Sequence, residues 1–138
     1  MKRQGQGQAT VELALVLPVL LLYSLSILAV GQIMGEYRAV RASASQAAYA
    51  AARAPSLAAA NAVGRQAAAD ALAGTGVQGT TVTVEAGTFP RGGVVTVRTE
   101  AYVDLGAYPL VRDYLGRRFR LSWTAHQLIE PYRSRQPS

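Results

Sequence analysis

No cysteine occurs among the 138 residues, which removes disulfides, thiolate metal ligands and cysteine nucleophiles together. Histidine occurs once, at His126, so neither a compact histidine metal site nor a Ser-His-Asp arrangement assembles easily. The sequence has no phosphate-cradling glycine loop, no metal-ligand spacing and no internal repeat. The residues that common reactions require are missing, so a non-enzyme without cofactor or metal is expected. A block of one charge is also lacking: the formal charge of +6 comes mainly from arginines scattered between Arg38 and Arg135. Such a surface suits anionic headgroups, acidic glycans or nucleic acid alike, but no nucleic-acid motif accompanies it, and that partner is not expected. Aromatic residues are few, and alanine supplies much of the apolar half of the chain. Alanine lets helices approach closely but fills little volume. After subtraction of any membrane segment, about 100 residues remain for a single small head that needs partners.

What the chain does have is LALVLPVLLLYSLSILAVGQIMG from Leu13 to Gly35. These uncharged residues would extend about 34 Å as a helix, enough to cross the hydrocarbon layer. A cleavable secretory signal has an apolar region of only about 7–15 residues. The small-residue triplet Ala42-Ser43-Ala44 is a poor cleavage site here, because Glu36, Arg38 and Arg41 precede it. Pro18 lies inside the run, where it deletes a backbone hydrogen bond and favours a kink that packed neighbours can accommodate. Lys2 and Arg3 before the span favour an inside N-terminus, although Arg38 and Arg41 follow it closely.

Immediately before the span stands Gly7-Gln8-Ala9-Thr10-Val11-Glu12. A carboxylate well inside lipid is penalised by roughly 2.5–3.5 kcal/mol on insertion scales, so Glu12 needs a partner. If the chain were cut after Gly7, the amino group released on Gln8 would supply the counter-charge, on the same subunit or on a neighbour. The alternative is a solvated acid beside the positive end of a helix, which needs no second subunit.

The segment from Gly7 through Glu12 and Pro18 to Leu22 closely resembles the N-terminus of TadE-like pilins of tight-adherence (Flp, type IVc) pilus systems. That resemblance implies cleavage by a prepilin peptidase, with Gly7 the last leader residue, Gln8 the new N-terminus and Glu12 the acid that aids docking into a filament. It also implies other pilin subunits and an inner-membrane assembly platform as partners. Only Gly7, and not Gly5, places Glu12 at the right offset. Leu13 stands where an aromatic residue often follows in major pilins of the system, which points to a minor pilin. The expected location is the cytoplasmic membrane, as a single-pass protein with possible later incorporation into an extracellular pilus used for adhesion. The competing reading is a permanently signal-anchored envelope protein whose head binds a secreted or envelope partner.

Beyond the span, Glu36, Tyr37, Arg38 and an alanine-rich run to Arg53 continue the helical pattern until Pro55 stops it. One helix is thus expected from about Ala9 to Arg53. Small residues at Ala42, Ser45, Ala48 and Ala52 would admit either a neighbouring subunit or the chain's own second helix. That helix starts at the N-cap Ser56, repeats Leu57, Ala60, Val63 or Gly64, Ala67, Ala71 and Leu72, and ends at Gly74-Thr75-Gly76. The period then changes to two. Val82, Val84 and Ala86 share one face, a loop with Pro90, Gly92 and Gly93 follows, and Val95, Val97, Thr99, Ala101 and Val103 share the next. Phe119, Leu121, Trp123 and Ala125 form a third apolar face, with His126 on the polar side. Between strands, Tyr108, Leu110, Val111, Tyr114 and Leu115 would line one side of a short helix that begins at Pro109 and docks on the sheet or grazes the bilayer. The expected class is α+β: a long N-terminal helix serving as transmembrane segment and stalk, a second helix, and a small three-stranded antiparallel sheet. The division is leader 1–7, transmembrane helix 8–35, extracytoplasmic head 36–130 and disordered tail 131–138.

Overall fold

Two hydrophobic periods divide the chain, and the computed structural model, which describes residues 4–86 and 92–129, follows both. Met1 to Arg3, Pro90 and the 131–138 tail lie outside the described residues. The elements are α1 (Gln4–Ala52), α2 (Leu57–Leu72), β1 (Val77–Ala86), β2 (Val94–Asp104), α3 (Pro109–Leu115) and β3 (Arg118–Leu128). The α+β class expected from the pattern is the one observed. The strands form one antiparallel sheet in the order β1-β2-β3, so β2 is central.

Helix α1 has 49 residues and is about 73 Å long at 1.5 Å per residue. It begins at Gln4, earlier than the expected Ala9, and ends at Ala52, one residue before Arg53. A long apolar helix extends upstream into Gln4-Gly5-Gln6-Gly7, because each added residue closes one hydrogen bond; glycine there lowers the gain by about 1 kcal/mol without reversing it. At the other end the chain tightens, with Arg53 N–H donating to the Ala50 carbonyl and Ala54 N–H to that of Ala51, both at 3.2 Å. Pro55 then prevents continuation.

The upper half of α1 and all of α2 cover one face of the sheet. Ala47, Ala48, Ala51 and Ala52 of α1, Ala60 and Ala68 of α2, and Val95 and Val97 of β2 form one buried cluster. The second cluster, nearer the span, joins Val40, Leu72, Ala101, Val103, Leu105 and Leu121. All five residues of the β2 face, Val95, Val97, Thr99, Ala101 and Val103, are fully buried. Among the two uses considered for the small residues, Ala48 and Ala52 serve the chain's own α2, whereas Ala42 and Ser45 stay exposed.

The buried stripe of α2 is Ala60, Gly64, Ala68 and Leu72, at a spacing of four. Leu57 and Val63 are exposed, and Ala67 and Ala71 lie at the margin. In so alanine-rich a helix, hydrophobicity barely distinguishes the faces, and the requirement for close approach decides instead. A Cβ at Gly64 would lie 3.2 Å from Val84 Cγ2 and 3.5 Å from both the Ala47 carbonyl oxygen and Ala51 Cβ. Ser56 caps α2 as expected, accepting from Ala59 N–H at 3.2 Å.

Thr99 is the exception in the β2 face. Its hydroxyl is buried and has no hydrogen-bond partner among the described residues. An unsatisfied buried hydroxyl is destabilising by about 1–3 kcal/mol. Thr99→Val is therefore expected to raise the unfolding midpoint of the detergent-solubilised chain by an amount equivalent to about 1 kcal/mol. Gly64→Leu, which forces side-chain atoms between α1, α2 and β1, is expected to lower it by about 1–3 kcal/mol. Denaturant titration with the Trp123 fluorescence as reporter checks both, and unchanged midpoints would contradict the packing described.

Candidate functional site

The span and its entrance are built entirely from α1. From Val11 to Leu25 every large apolar side chain is exposed, and only 6% of the apolar window is buried. A helix this apolar inside a soluble protein would be covered by its own fold, and this one is bare. The described residues thus contain one helix long and apolar enough to cross a membrane, consistent with membrane anchoring. Its two serine hydroxyls are satisfied locally. Ser24 Oγ donates to the Leu20 carbonyl at 2.8 Å and Ser26 Oγ to the Leu22 carbonyl at 2.9 Å, which hides both hydroxyls from lipid. Helix α1 continues on both sides of Pro18, whose ring nitrogen leaves the Ala14 carbonyl without its usual donor.

Gln8 and Glu12 lie four residues apart on one side of this helix. Gln8 Nε2 donates to Glu12 Oε1 at 3.3 Å, with both groups exposed. Gly7 precedes them inside the same helix and has open space around it. Because α1 begins at Gln4, Glu12 stands two turns beyond the helix start, and no acid lies in the first turn. The helix-end reading of this carboxylate therefore loses most of its force, since the dipole effect fades within one turn. A helix starting at Gln8 would instead bring the acid within about 6 Å, along the axis, of the terminal nitrogen. Side chains tilt toward the N-terminus of their helix, so Glu12 already leans that way.

At the upper end of the span the first acid after Glu12 is Glu36. Gly76 N–H donates to Glu36 Oε1 at 2.9 Å across 40 residues of sequence. Gly74 turns the chain here with φ +79°, and Thr75 closes α2 by donating twice to the Leu72 carbonyl, from N at 3.1 Å and Oγ1 at 2.7 Å. A Cβ at Gly76 would lie 2.7 Å from the same Glu36 oxygen, so glycine is what lets the carboxylate reach the amide. Sequence reasoning marked the glycine turn but missed its partner. Above this point Tyr37 meets Trp123 edge to face, with ring centroids 5.8 Å apart, and the Arg41 guanidinium sits 4.9 Å from the Trp123 ring centre. Trp123 of β3 thus packs against α1. His126, on the polar face as expected, pairs with Thr96 Oγ1 at 2.9 Å.

The short helix α3 departs from its expected arrangement. Tyr108 and Val111 pack on the lower core cluster, but Leu110, Tyr114 and Leu115 point away from it and are 41%, 90% and 48% exposed. Seven residues make two turns, and the lower end of the sheet accepts only one side of them.

The family model described as TadE-like protein matches residues 7–53, which are α1 from Gly7 to its end at Ala52 and the next residue, Arg53. No curated protein and no solved structure matches the chain. Glu36→Ala is expected to free the Gly76 amide, speeding its hydrogen exchange and destabilising the α2–β1 turn by about 1–2 kcal/mol, while Glu36→Gln, which keeps an acceptor oxygen, retains most of the protection. Equal exchange rates in the two variants would contradict the assignment. The bare apolar helix that carries Gly7, Gln8 and Glu12 is thus the part of the chain that is similar to TadE-like proteins, and the match over residues 7–53 is consistent with a protein of a tight-adherence pilus system.

Proposed function

We propose that this chain is a minor pilin-type structural subunit of a tight-adherence pilus. It enters the cytoplasmic membrane with its N-terminus inside, is trimmed after Gly7 by a prepilin peptidase, and is then drawn by the assembly platform into or onto a filament of sister pilins used in surface attachment. On this reading it catalyses no reaction. The observation that carries the proposal is the pairing of Gln8 and Glu12 one helical turn apart on an exposed apolar helix. Trimming would convert the neutral Gln8 environment into one holding an amino group, and a charged donor strengthens a hydrogen bond to a carboxylate roughly twofold. That amine can belong to the same chain or to the next subunit in a fibre, which would make Glu12 sensitive to assembly. The match of residues 7–53 to the TadE-like family supports the same reading.

One observation favours the permanently anchored alternative. The Gln8 carboxamide already partners Glu12 in the untrimmed chain, so the acid is not bare before any cleavage. The two readings separate on mass and on assembly. The membrane-purified protein is expected to have the mass of a chain beginning at Gln8, and Glu12→Ala is expected to insert normally but to be lost from sheared surface fibres. An intact Met1 in assembled fibres, or unchanged incorporation of the Glu12 variant, would remove the proposal.

A further inference from the structure

The lower edge of the head carries three apolar side chains, Leu110, Tyr114 and Leu115, that neither core cluster uses. Leu22, Leu25 and Ser26 of α1 face Tyr108, Leu110 and Val111 across a narrow crevice, so α3 lies alongside the span and not above it. On α1 as a whole, large apolar side chains remain exposed well past this level. Ile27, Leu28, Val30 and Met34 are 56%, 61%, 54% and 57% exposed, and the next charged position is Glu36. The contacts with α3 are eight to twelve residues below Met34, about 12–18 Å along the helix axis.

That geometry fixes the depth of α3. Were it held in water, the α1 residues at the same height would be in water too, and only Val11 to Leu21 would remain below. These span about 16 Å, roughly half of a hydrocarbon layer of about 30 Å. We infer that α3 is a membrane-interface helix, and that Leu110, Tyr114 and Leu115 bed into the headgroup and upper acyl zone of the bilayer that α1 crosses. The occupant of this surface is phospholipid, because the patch is continuous with the exposed apolar belt of α1. Tyr114, the most exposed of these side chains, combines an apolar ring with a polar tip, the combination that favours a membrane boundary.

Charge plays the smaller part. Arg112 pairs with Asp113 at 3.1 Å and Arg117 approaches Asp104 at 3.8 Å, which leaves Arg118, next in the chain, as the surplus cation of this edge. Insertion therefore does not require anionic lipid. The loop geometry holds α3 in place: Leu105 N–H donates to the Arg117 carbonyl at 2.8 Å, and Tyr108 N–H to that of Leu105 at 3.0 Å. Both ends of the excursion are thus tied to fully buried Leu105.

The inference rests on α1 crossing a bilayer, and the test separates the two. The natural chain has no cysteine, so single nitroxide labels can be placed at Tyr114→Cys, Leu110→Cys, Ile27→Cys and Thr83→Cys in the full chain. The labelled proteins are reconstituted at low protein-to-lipid ratio in neutral phosphatidylcholine vesicles, and collision with oxygen is compared with collision with a nickel chelate. The labels at 110 and 114 are expected to resemble the one at 27, with an oxygen-to-nickel ratio severalfold above that at 83. A label at 114 that matches 83 while 27 reports lipid would overturn the inference alone. Water at 27 as well would overturn the spanning reading with it. Shielding at 110 and 114 that appears only at high protein-to-lipid ratio would assign the surface to a second copy of the chain and reject lipid as its occupant.

Discussion

A single uninterrupted helix has to satisfy two different surroundings, and the rest of the molecule is arranged around that demand. Along its lower part α1 presents leucine and valine in all directions, with its backbone groups bonded within the helix except at the Ala14 carbonyl opposite Pro18, and with Ser24 and Ser26 folded back onto it. Along its upper part the same helix presents alanine, because it must come close to α2 and to β2. Hydrophobic mass below and its absence above are two answers to one question, namely how near the neighbour must come. Lipid chains adapt to large side chains, whereas a helix laid on a sheet beside another helix leaves little room between them.

The small head follows from this. Its sheet has one dry face, and that face is dry only because α1 and α2 lie on it side by side. With alanine and glycine at the contact, little apolar area is buried per residue, and the stability of the head leans on the longer side chains of the lower cluster, Val40, Leu72, Val103, Leu105 and Leu121. The link between Glu36 and Gly76 closes that cluster on the side nearest the span. Removing α1 would expose the whole apolar face of β2, so span and head do not form separable units.

Much of this was legible in sequence, for reasons that differ by element. The β2 face alternates so regularly from Val95 to Val103 that a period of two admits only one orientation. Gly7, Gln8 and Glu12 stood out together through the resemblance to TadE-like pilins, whereas the span was readable from length and lack of charge. The α2 stripe was not, because alanine on every side leaves the choice between Ala67 and Ala68 to shape. The two sides of α3 were equally opaque: Tyr108 and Val111 turn inward, Leu110 and Tyr114 outward, and nothing local distinguishes them. The contact between Glu36 and Gly76 had no local signal either, since 40 residues separate the partners. The early start of α1 was concealed by glycines that ordinarily punctuate a helix and here are carried along by it.

The antiparallel course of β2 against the upper part of α1 has a mechanical consequence. The chain enters β2 at the level of Ala47 to Ala52 and leaves it at the level of Val40, so the two elements run lengthwise past each other. A pull on the span is carried up the helix by its own hydrogen bonds and reaches the head as shear along this whole contact. Shear loads the alanine contacts and the strand ladder together, whereas peeling would open them one at a time. A chain with so modest a core can thereby bear axial tension better than its thermal stability alone would suggest.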